Sequence, residues 1–132
     1  MKGKKWSILI VEDESIIAKD LQSTLKFLGY PVPSVALTAE VALEKIEIER
    51  PDLVIMDIVL GGQMNGIDAA QLIKTRFNIP ILFSTAYLDK RLLNPTDFSE
   101  PYDFIIKPVD EAELHQKVEK ILARTGNRES LQ

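Results

Sequence analysis

The chain has 132 residues, 45% of them hydrophobic and 27% charged, enough for one compact core and too few for two ordinary domains. The formal net charge is -4 and the lysines and arginines are scattered, so no basic patch supports direct nucleic-acid binding. The absence of cysteine excludes disulfides, thiol chemistry and thiolate metal sites and fits a cytoplasmic location, while the basic start Met1 to Lys5 leads into an apolar run too short for a signal peptide or membrane span.

Taken in order, Ser7 to Val11 is a short continuous apolar run stopped by Glu12 and Asp13, the pattern of a strand covered on both faces. Glu14 to Leu28 places Ile17, Leu21, Leu25 and Leu28 on one helical face, and Gly29 ends it. Ser34 to Leu37 is weakly strand-like, and Ala39 to Glu49 is helical until Pro51. Leu53 to Met56 predicts a third strand, followed by a loop with Gly61, Gly62 and Gly66. Ile67 to Phe77 then predicts a helix with Ile67, Ala70, Ile73 and Phe77 inward. Ile81 to Ser84 and Phe104 to Ile106 give two more strands, and Glu111 to Ala123 a last helix burying Leu114, Val118, Ile121 and Leu122. The segment from Leu88 to Pro101 has no clear period. The expected domain covers 1–125, with 126–132 a polar C-terminal tail.

Apolar strands alternating with helices predict an α/β, doubly wound, five-stranded parallel sheet with helices on both faces, in the flavodoxin-like order 2-1-3-4-5. Ligands of such sheets sit beyond the carboxyl ends of the strands. Those ends carry Glu12 and Asp13, Asp57, Thr85, and Lys107 followed by Pro108. Singly, each has a bland reading: Asp13 as a helix cap, Asp57 as a side-chain turn, Thr85 as an ordinary strand residue, Lys107 as a snorkelling cation. Jointly, at the ends of four strands, they are the residues of phosphoryl transfer. Converging carboxylates persist where a cation neutralises them, and oxygen-only ligands favour magnesium, calcium or manganese over zinc.

The stretches Ile8 to Glu14, Pro51 to Ile58, Ser84 to Ala86 and Ile106 to Pro108, in that order, resemble the receiver domains of two-component response regulators over nearly the whole chain. The resemblance implies that Asp57 is phosphorylated by a histidine kinase or phosphotransfer protein. It implies magnesium held by Asp13, Asp57, the Val59 carbonyl and, mainly through water, Glu12. It assigns Thr85 and Lys107 to phosphoryl oxygens, and Thr85 with Phe104 to a switch read by a downstream protein through the face near the fifth strand. The Lys107-Pro108 peptide bond is expected to be cis. Such a domain signals and is not a turnover enzyme.

Three features depart from the family pattern: the loop from Ile58 to Gly66 lacks a methionine-proline pair, Phe104 stands where many members have tyrosine, and Asn94-Pro95 falls where a fourth helix is expected. The alternative, a magnesium-dependent phosphatase of haloacid-dehalogenase type, wants a second aspartate two positions after the nucleophile, where this chain has Val59. A flavin phosphate would be repelled by Glu12, Asp13 and Glu14, and no P-loop lysine follows Gly61-Gly62. His115, the only histidine, is expected on an exposed helix face without a chemical role. Val59 and Tyr87 flank the expected path of attacking water and predict a long-lived phosphorylated form. Trp6, just ahead of the first strand, is the expected fluorescent reporter of metal binding.

Overall fold

The apolar runs form the strands, and acids, glycines and prolines set most of their boundaries. In the computed structural model, which describes residues 6–86 and 103–130 and the last helix's side chains through residue 124, β1 is Ile8–Val11, β2 Val35–Ala36, β3 Leu53–Asp57, β4 Ile81–Thr85 and β5 Asp103–Ile106. All pairings are parallel, in the order β2-β1-β3-β4-β5. Every residue of β1, β3 and β4 is buried, which is why these strands are continuously apolar instead of alternating. Tyr87, Asn94-Pro95 and the segment from Leu88 to Pro101 lie outside the described residues.

The helices are α1 Ser15–Phe27, α2 Ala39–Glu49, α3 Gly66–Phe77 and α4 Glu111–Ser130. Alternate strand residues point to opposite faces, so the sheet builds two cores. Leu9, Val11, Val54 and Met56 pack with Ala42 and Ile46 of α2 and Ala70 and Ile73 of α3. Ile8, Ile10, Leu53 and Ile55 pack with Leu21 and Leu25 of α1 and Leu114, Val118 and Leu122 of α4. The doubly wound expectation is met. On the second face, the Tyr30 hydroxyl donates to Glu119 and ties α4 to the chain after α1; burial, then that carboxylate, raises the Tyr30 pKa.

Several local expectations need correction. β2 has only two residues, and Leu37 is exposed because the chain has already turned toward α2. Ile17 lies at the edge of the buried stripe, whose first member is Ala18, since Ala18, Leu21 and Leu25 follow the 3.6-residue pitch more closely. Leu28, Ile67, Phe77 and Ile121 are only partly buried. The last helix runs past Ala123 and is helical through Ser130, with no proline to interrupt it.

One glycine fixes how closely α3 approaches the strand that precedes it. A Cβ at Gly66 would lie 2.1 Å from the Asp57 carbonyl oxygen and 2.9 Å from the Ile58 Cα, both rigid backbone, and the Gly66 N–H donates to Ile58 O at 2.9 Å. Asn65 caps the helix by accepting the Asp68 N–H at 2.9 Å. Gly66→Ala is therefore expected to lower the melting temperature by roughly 10 °C in thermal circular dichroism, as overpacking against a fixed backbone costs about 3 kcal/mol.

Candidate functional site

Parallel register brings the strand ends together. Val11 stands beside Met56, so the next residues, Glu12 and Asp57, are neighbours across β1 and β3. Asp57 stands beside Ser84, Thr85 beside Ile106, and the Lys107 N–H donates to Thr85 O at 2.8 Å, placing Lys107 at the same edge. Glu12 is 2% exposed, Asp57 8% and Thr85 0%, whereas Asp13 is exposed. Buried carboxylates at the carboxyl ends of parallel strands need a counter-charge.

Lys107 supplies it. Its Nζ lies 2.8 Å from Glu12 Oε1 and 2.8 Å from Asp57 Oδ2, so one half-buried ammonium bridges both acids. Burial raises the Glu12 pKa, with the Asp57 charge adding to it, and the hydrogen bonds from Lys107 and the Glu14 N–H only partly offset this. For Lys107 burial works the other way, but hydrogen bonds to Asp57 and Glu12 outweigh it and its pKa is raised. The Lys107-Pro108 peptide bond is cis, as expected.

Backbone N–H groups also hold one oxygen of each acid. Asp57 Oδ1 accepts the Val59 N–H at 3.1 Å, Glu12 Oε2 the Glu14 N–H at 3.1 Å, and Asp13 Oδ2 the Gly61 N–H at 3.1 Å. The turn reading of Asp57 is thus realised alongside its contact with Lys107. The capping reading of Asp13 is not: Glu14 is the residue before α1 and makes no side-chain cap. Glu12, Asp13 and Asp57 each offer an oxygen, with all three within 4.8 Å of one another. Such an oxygen-only donor set, fed by one solvent-exposed member, fits a hard divalent cation.

The other expected residues lie close by. Val59 is 49% exposed, two residues past Asp57. The Thr85 hydroxyl donates to the Ala86 carbonyl at 3.1 Å. Phe104 is partly buried against the core shared with α2 and α3. His115 is exposed, 3.7 Å from Glu119 and edge-on to Tyr30. Trp6 stands at the opposite end of β1 from Glu12, roughly 20 Å along an extended chain, and is a poor reporter of the site. Sequence reasoning missed Lys117, whose Nζ lies 2.6 Å from Phe104 O and 3.1 Å from Asp103 Oδ1. Its one legible sign was a lysine four residues after Glu113 on the last helix.

Removing the bridging cation exposes the cost of the acids. Lys107 binds its proton more tightly folded than unfolded, so its contribution is complete below pH 10.5 and is lost as pH rises past the higher folded value. Glu12 also holds its proton more tightly in the fold, so its contribution is complete below pH 4.5 and declines as pH rises through its elevated value. Lys107→Met is expected to cost about 2 to 3 kcal/mol at neutral pH in urea denaturation. Near pH 4 the loss is expected to be smaller, because the orphaned Glu12 takes up a proton.

The comparisons agree with this geometry. The family model for the response regulator receiver domain matches residues 8–119. The chain is 35% identical over 116 residues to the phyllosphere-induced regulator PhyR of Methylorubrum extorquens, covering 87% of this chain and 43% of that protein. It is 32% identical over 117 residues to the transcriptional regulatory protein PdtaR of Mycobacterium tuberculosis, covering 89% and 57%. It thus spans about half the length of these curated relatives. The N-terminal domain of a response regulator/sensory box/GGDEF three-domain protein from Carboxydothermus hydrogenoformans superposes with a TM-score of 0.84 at 34% identity, covering 92% of this chain and 98% of that one. The anti-anti-sigma factor PhyR of Bartonella quintana superposes with a TM-score of 0.83 at 27% identity, covering 98% and 52%. With the family model matching most of its length and the five-stranded parallel sheet in place, the chain belongs to the response regulator receiver domains, the phosphoacceptor signalling modules of two-component systems.

Proposed function

We propose that this receiver takes a phosphoryl group onto Asp57 from the phosphohistidine of a histidine kinase or phosphotransfer protein. An Asp57 carboxylate oxygen bonds to phosphorus while the phosphorus–nitrogen bond breaks, and the histidine nitrogen leaves with the electron pair and takes up a proton. The supporting observation is the Lys107 ammonium, 2.8 Å from Asp57 and anchored by Glu12 on its other side. There it meets the oxygens of an incoming phosphoryl group, whose charge it partly neutralises.

Glu12, Asp13 and Asp57, with the Val59 carbonyl, are the residues that would hold magnesium. The ion supplies charge neutralisation for the phosphoryl oxygens. The buried Thr85 exchanges its bond to Ala86 O for one to a phosphoryl oxygen, and the space it leaves admits the Phe104 ring. A downstream protein reads this change on the face near β5. The phosphatase reading is weaker, because Val59 stands where that chemistry places a second acid.

Two measurements test this reading. With acetyl phosphate and magnesium, intact-mass spectrometry is expected to find one phosphoryl adduct on wild type and none on Asp57→Asn; equal uptake by the variant would remove Asp57 as the acceptor. Asp13→Asn keeps the acceptor and is expected to weaken magnesium binding by about tenfold or more in calorimetry. Val59 has no side-chain group to orient a water and is half exposed beside Asp57. Val59→Asn is expected to speed autodephosphorylation several-fold under saturating magnesium.

A further inference from the structure

β5 is the last strand of the sheet, and alternation directs the backbone groups of successive residues to opposite sides of it. Lys107 N–H bonds inward to Thr85 O, so the N–H and carbonyl of Phe104, three residues earlier, face outward, where no strand among the described residues pairs with β5. Side chains satisfy them instead. The Phe104 N–H donates to Asp103 Oδ1 at 2.8 Å, and the Phe104 carbonyl accepts from Lys117 Nζ at 2.6 Å. The same Nζ lies 3.1 Å from Asp103 Oδ1 and 3.5 Å from Glu113 Oε2. Three oxygens therefore hold one ammonium in place. It sits 5.4 Å from the centroid of the Phe104 ring, within cation–π range.

This arrangement treats the backbone and the ring of Phe104 differently. A rotation of the Phe104 side chain leaves the carbonyl and Asp103 contacts intact and breaks the contact between ring and ammonium, along with the ring's partial packing against the core. We propose that Lys117 is a positioning residue that biases Phe104 toward its resting rotamer and so sets how strongly the acceptor site must be loaded before the surface changes. The proposal rests on the reading of Phe104 as the moving aromatic. By linkage, whatever favours the resting ring opposes loading of the distant site by the same factor. Lys117 itself is only 24% exposed and reaches its partners from the helix that covers β5.

Beryllium fluoride with magnesium, as a phosphoryl mimic, tests this without a kinase. Its affinity is measured by calorimetry, and the Phe104 ring is followed by NMR on selectively labelled protein. Lys117→Met is expected to bind the mimic about two- to fivefold more tightly, the size of one partly exposed cation–π contact. Its unloaded ring signals are expected to lie part of the way toward the loaded position. Lys117→Arg, which retains a cation above the ring, is expected to restore wild-type behaviour. Asp103→Asn, which loosens the anchor, is expected to shift both readouts in the same direction as Lys117→Met. Wild-type affinity and ring signals in Lys117→Met and Asp103→Asn, even with a lowered melting temperature, would reduce Lys117 to packing and overturn the proposal. A wild-type ring that does not move on loading would instead overturn the underlying reading of Phe104, and the proposal with it.

Discussion

Two carboxylates that the sheet register cannot keep apart are bridged by one lysine, and the organisation of the site depends on that bridge. Glu12 and Asp57 are neighbours because β1 and β3 pair in register, and both are buried because their strands run through the core. Lys107, brought from a position 95 residues from Glu12, sets one ammonium against both carboxylates while each keeps a backbone N–H on its second oxygen. Glu12, Asp13 and Asp57 there form an oxygen-only set that could hold a divalent cation, with Asp13 at its exposed edge.

The fold supports this centre by making its approach tight. α3 begins directly against the Asp57 carbonyl because Gly66 has no side chain, which fixes the loop from Ile58 to Asn65 at both ends. That loop carries Val59 and Gly61, whose N–H groups hold Asp57 and Asp13. The departure of its sequence from a methionine-proline pattern therefore does not cost the site its backbone donors. Thr85 lies one step past Ser84, the neighbour of Asp57, and Phe104 lies three residues before Lys107 on the last strand. Lys117 reaches Phe104 from the last helix.

Much of this was legible in the chain itself, for identifiable reasons. Fully buried parallel strands must be continuously apolar, so Ile8 to Val11, Leu53 to Met56 and Ile81 to Ser84 announce themselves, and the polar residues that end them fall at the sheet's carboxyl edge. The weak signals belonged to elements with little to bury. β2 is two residues long, and α4 runs to Ser130 with nothing in the hydrophobic period to mark its end. Ile17 misled because apolar residues at an interval of four drift off a 3.6-residue pitch, leaving Ala18 on the buried stripe.

By itself the sequence determined the strand and helix order, the parallel sheet, and the set of acids, threonine and lysine that end the strands, since these follow from local periodicity and from the rule that short crossovers keep parallel strands adjacent. Only the tertiary structure decided how those groups share their charges. It put Lys107 on both Glu12 and Asp57, gave Asp13 to Gly61, and turned the Thr85 hydroxyl toward Ala86. It also carried Lys117 back across β5 to Phe104, a contact between a helix and an edge strand that no local pattern encodes. The physical reason is common to all of them: a side chain's partner is set by register and burial between segments distant in the chain, whereas periodicity reports only which face of its own element a residue occupies.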